Sequence, residues 1–161
     1  MKYNGSDDGV GIPLTLPLAS CWEIEEGRVD SSVFFAVLPK VFHEVTSAFF
    51  EGTSIASEVE ELFLRFAASE PYLPEGQTVW PMSKKFHCRA TLEFWTEVSQ
   101  LAQRHAEPEL CDHLFLYAEK QVILEWPDAF ANTMWLSPLI EETRVAVFSK
   151  HLELRFRRAP E

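Results

Sequence analysis

His113-Leu-Phe-Leu-Tyr-Ala-Glu-Lys-Gln-Val-Ile-Leu-Glu-Trp126 is two strand-like runs joined by a short turn. The first runs from His113 to Tyr117 and the second from Gln121 to Trp126, with Ala118-Glu119-Lys120 between them. Aromatic and β-branched residues flanking so short a connection predict an antiparallel hairpin. On its second strand Val122, Leu124 and Trp126 share one face, and Ile123 and Glu125 share the other, because strand side chains alternate. Pro127 closes the run.

Upstream of the hairpin the apolar period changes from two to that of a helix. Phe94, Val98, Leu101 and His105 fall on one stripe between Thr91 and Ala106, with Leu92, Trp95 and Ala102 beside it. Thr91 is placed to cap this helix, and Pro108 stops it. A second helix is predicted near residues 55–68, where Ile55, Val59, Leu62, Phe63 and Phe66 recur at helical spacing. Ser57 and Glu60 have capping-box spacing there, and Ser54 is another candidate cap. Downstream, a third helix is expected to begin at Pro138. Its stripe is Val145, Phe148 and Leu152, with Glu141 and Glu142 at its positive end and Lys150 and His151 at its negative end.

Further strands are expected on either side. Val33-Phe-Phe-Ala-Val-Leu38 is a continuous apolar run halted by Pro39, which reads as a buried strand. Ser47 to Glu51 reads as the next strand, closed by Gly52. Thr78 to Pro81 and Phe86 to Arg89 read as two short strands after a loop holding Pro71, Pro74 and Gly76. Trp22 and Ile24 alternate with acids, so a short edge strand fits them. Residues 1–12 read as a loose tail and 13–161 as one domain. The sum is an α+β fold: a mostly antiparallel sheet with about three helices packed on one face.

Composition narrows the function. Net charge is −11 over 161 residues, which repels phosphate backbones and anionic membranes and favours a basic protein partner. No run reaches the ~20 apolar residues needed to span a bilayer. Leu18-Ala-Ser-Cys21 has the shape of a lipoprotein processing site, but Asp7, Asp8, Pro13 and Pro17 break the apolar, positively led stretch an export signal needs. Cys21, Cys88 and Cys111 form no disulfide framework, and reduced thiols fit a cytoplasmic protein.

The densest polar segment is His105-Ala-Glu-Pro-Glu-Leu-Cys-Asp-His113. His105, Asp112 and His113 are its candidate catalytic residues, with Asp112 or Glu109 orienting an imidazole and Cys111 as a conceivable nucleophile. Zinc on His105, Cys111 and His113 lacks the paired ligand spacing of known sites, and Cys111 is better read as a small core filler. His105 itself fits a hydrogen-bonded core histidine. No metal or cofactor is expected. Glu51-Gly-Thr-Ser54 joins a strand to a helix and could hold an anion, although a turn glycine and a serine cap explain it without one.

Trp126, Asp128, Phe130 and Trp135 lie in a turn-rich segment, where exposed aromatics with an acidic rim would form a partner surface. Core packing is the alternative for those rings. Three functional readings result. The favoured one is a non-enzymatic binding module of immunity or adaptor type; the second is a small enzyme or ligand or metal binder using residues 105–113. A homodimer through the hairpin or residues 126–136 is the third.

Overall fold

The computed structural model describes residues 16–17, 19–69 and 83–161. The expected tail at 1–12, most of the loop after residue 69 and the expected strand Thr78–Pro81 lie outside the described residues. In chain order the elements are β1 (Trp22–Ile24), α1 (Ser31–Val41), β2 (Ser47–Gly52), α2 (Ser57–Arg65), β3 (Lys84–Arg89), α3 (Leu92–Leu101), β4 (His113–Ala118), β5 (Gln121–Trp126), β6 (Met134–Leu136), α4 (Glu142–Leu152) and β7 (Phe156–Arg158). The strands form one seven-stranded sheet in the order β3-β2-β4-β5-β6-β1-β7. Every pairing is antiparallel.

The α+β class holds, with four helices among the described residues rather than about three. Alternation sorts the sheet into two faces. Ala48, Phe50, Leu114, Leu116, Leu124 and Trp126 face the helices and join their buried side chains in one core. Phe49, Phe115, Tyr117 and Val122 point the other way and bury themselves with Leu16 and Cys21. Val122 and Ile123 thus lie on the faces opposite to those expected, because the pairing of β4 and β5 shifts register between Leu116 and Tyr117 and breaks the alternation there. Glu125 also lies on this second face, where burial raises its carboxyl above the usual range and the Leu16 amide donates to it at 2.7 Å. The helices therefore lie on one side of the sheet.

The fourth helix is the segment expected as a strand. Val33–Leu38 belongs to α1, whose N-terminus Asp30 caps by accepting from the Val33 amide at 3.1 Å. Phe34, Phe35, Leu38 and Val41 make a helical stripe and are buried. Their rings explain the outcome. Phe34 packs on Trp126 at 4.8 Å and on Phe148 at 6.0 Å, while Phe35 lies against Phe50 and Trp95. Pro39 sits inside the helix near its end and does not break it. An apolar run this short has no legible period, so burial and the Asp30 cap decide it.

Other boundaries move for local reasons. Thr91 caps α3 as expected, accepting from the Phe94 amide at 3.1 Å. At α2 the cap position is Ala56, without a side-chain bond, so neither Ser54 nor Ser57 caps it. Glu60 is drawn instead to Lys84 at 2.6 Å. The last helix begins at Glu142, and Pro138 stays in the preceding turn. Trp22–Ile24 is an interior strand, because β7 pairs on its outer side. We expect Phe34→Ala to lower unfolding free energy by ~3–5 kcal/mol and Asp30→Ala by ~1 kcal/mol, as read by chemical denaturation.

A candidate acidic cleft

At one end of the sheet, β2 runs out into Gly52 and Thr53, β4 begins at His113, and β5 ends before Asp128. These ends are tied together by one residue, Asp112. Its amide donates to the Glu51 carbonyl at 2.7 Å, and its carbonyl accepts from the Ala129 amide at 2.7 Å. Its carboxylate accepts from the Thr53 amide at 2.9 Å and the Thr53 hydroxyl at 3.1 Å. Gly52 makes the approach feasible, since a Cβ there would sit 2.8 Å from Ile55 Cγ1 and 3.4 Å from the Asp112 nitrogen. The anion cradle suggested by Glu51-Gly-Thr-Ser54 therefore exists in part, and its anion is the chain's own Asp112.

Around this clamp lies a cleft of about 290 Å³ lined by Glu51, Ser83, Glu107, Asp112, His113 and Asp128. Glu51 is buried and accepts from the Ser83 hydroxyl at 2.5 Å. His113 Nδ1 accepts from the Asp128 amide at 3.0 Å, which leaves the proton of the neutral ring on Nε2. Asp128 takes a left-handed backbone, φ 47°. Burial, and then the charges of Asp112 and Asp128, push the Glu107 carboxyl above the usual carboxylate range.

Of the residues singled out from sequence, Asp112, His113 and Asp128 come together here. His105 does not. It stands at the far side of the α3 exit between two carboxylates, with Nδ1 3.1 Å from Glu109 and Nε2 against Glu58. Arg104 grips the same Glu58 through two bonds of 2.8 Å. The expected core histidine is thus part of an ion-pair cluster, because α3 ends at Leu101 and carries His105 off its apolar stripe. The hydrogen bond to Glu58, and then that to Glu109, raise the His105 pKa. Arg104 first, then His105, lowers Glu58 to about 2.

Cys111 is fully buried, and burial drives its thiol far above the ordinary value, as expected of a filler rather than a nucleophile. His105, Cys111 and His113 are not assembled as ligands, and among the described residues no three His, Cys, Asp or Glu side chains are gathered to hold a metal ion. The expected aromatic surface also changes. Trp126 is only 1% exposed, donates from Nε1 to the Asn132 carbonyl at 2.8 Å and packs on Phe34 and Phe130, so it belongs to the core. Phe130 is half-buried against the same rings. Trp135 is half-buried on the sheet's other face. Sequence reasoning passed over Ser83, which no local pattern marks, and did not single out Glu107 within the polar segment 105–113.

Comparison with protein-family models, with curated proteins and with solved structures gives no match.

Two outcomes are expected. Asp112→Ala removes both bonds to Thr53 and should cost ~1–2 kcal/mol in denaturant unfolding. His105, followed by imidazole proton resonances, should titrate above its reference value of about 6.5. Its contribution to stability is then fully present below about pH 6.5 and is lost as pH rises through the raised value, and this alkaline loss should be missing in His105→Ala.

Proposed function

We propose that this chain is a non-enzymatic protein-binding module of adaptor or immunity type, and that a basic partner docks at the cleft of Glu107, Asp112 and Asp128. One observation carries the reading. Glu23, Glu44, Glu58, Glu60 and Glu97 are each paired with an arginine or lysine. Among the described residues, Glu107, Asp112 and Asp128 share one cleft with no arginine or lysine bridging to any of them. Burial first, and then the charges of Asp112 and Asp128, raise Glu107, and a cationic side chain from outside offsets that repulsion.

The net charge of −11 steers such a partner in and opposes nucleic acid. Among the described residues no helix is long and apolar enough to cross a membrane. Three free, buried cysteines support a cytoplasmic setting. A binder is favoured over an enzyme because Cys111 is sealed from substrate and the His113 Nδ1 is already committed to a backbone amide.

Decalysine serves as the test partner, titrated at low salt. We expect binding that weakens with added salt, and weakens roughly tenfold in Glu107→Gln/Asp128→Asn, in line with two partly exposed charge contacts. A bound cation lowers the Glu107 pKa, so affinity should fall as the solution is acidified and binding should release protons. Calorimetry in buffers of different ionisation enthalpy detects that release. Unchanged affinity in the double variant would overturn the site.

A further inference from the structure

The second polar cluster bears on how the cleft is held. His105 begins the segment that carries Glu107 and ends at Asp112. Its imidazole faces carboxylates at both nitrogens: Glu58 from α2 on one side and Glu109 from its own turn on the other. The remaining charged neighbour is Arg104, at the end of α3, which shares Glu58. A carboxylate can only accept, so a ring between two of them must donate from both nitrogens, as the imidazolium does.

The two contacts do not respond equally to loss of the ring proton. Glu58 has a second holder in Arg104. Glu109 has only His105 for its side chain among the described residues, and its carboxylate is about half exposed, 51%. A neutral ring keeps its proton on Nε2, toward Glu58, and turns a bare Nδ1 lone pair on Glu109. The Glu109 side chain therefore lets go, and the 105–109 turn loses its side-chain closure. Two backbone ties remain at Glu109, from the Ala56 amide to its carbonyl at 2.9 Å and from its own amide to the Ala106 carbonyl at 2.8 Å.

We propose that His105 is a pH-sensitive latch: protonated, it braces the 105–109 turn that sets Glu107 in the acidic cleft, and deprotonated, it drops Glu109 and loosens that turn. The link to partner binding rests on the function proposed above; the opening of the turn does not. Ionisation of Glu107 sets the lower bound of cation binding and loss of the His105 proton sets the upper one.

Amide hydrogen exchange across the His105 titration tests the latch on the whole chain. The Glu109 amide, which donates to the Ala106 carbonyl, should exchange about fivefold faster, beyond the intrinsic pH effect, once His105 is neutral, matching the loss of one hydrogen bond that holds the turn. In Glu109→Gln the side-chain amide can donate to the neutral Nδ1, so this acceleration should vanish while the fold is kept. The latch is wrong if wild-type exchange ignores the His105 midpoint, or if Glu109→Gln accelerates as the wild type does. Decalysine affinity measured over the same range reads the cleft separately. No binding at any pH removes the cleft reading and leaves the exchange result to decide the latch.

Discussion

The seat of α1 on the sheet is the constraint on which the rest of the structure depends. Phe34 meets Trp126 and Phe148, and Phe35 meets Phe50 and Trp95, so one helix joins β2, β5, α3 and α4 through two adjacent rings. Each such ring removes a large apolar area from water and adds an edge or tilted ring contact. With that layer in place, the second face of the sheet is left to a different set of side chains. The sheet ends are then free to carry polar loops.

Those loops converge because Asp112 satisfies three neighbours at once. Its backbone extends the pairing of β2 and β4 by one step, and its carboxylate takes the amide at the start of the next connection. A carboxylate so engaged is a structural anion, and it places Glu107 and Asp128 beside a negative centre. The acidity of the cleft is thus a by-product of how the strand ends are tied, and its charges add to the burial that raises Glu107. The ion-pair cluster of Glu58, Arg104 and His105 does the opposite. There every charge has a partner, and the exit of α3 is held to the start of α2.

Much of this was legible along the chain. The hairpin His113–Trp126 could be read because its aromatic and β-branched runs and its short turn agree, although a register shift exchanges the faces expected of Val122 and Ile123, and α3 because its stripe and the Thr91 cap agree. The Val33–Leu38 run misled because an all-apolar stretch satisfies both periods, and the Asp30 cap sits outside it. The three-residue strands Met134–Leu136 and Phe156–Arg158 carry too few residues to show alternation, which also disguised Trp22–Ile24 as an edge. At the site, Asp112, His113 and Asp128 were visible as polar residues at strand ends. Trp126 was misplaced because a turn-rich neighbourhood says nothing about which way the last strand residue points.

By itself the sequence determined the fold class, the hairpin, the two cleanest helical stripes and the net charge, since all of these follow from local spacing and composition. Only the tertiary structure decided the helical state of α1, the interior place of β1, the separation of His105 from His113, and the meeting of Glu107, Asp112 and Asp128. Each of these depends on which surfaces touch across long stretches of chain. Burial and charge proximity are properties of that arrangement, and no local window of residues contains them.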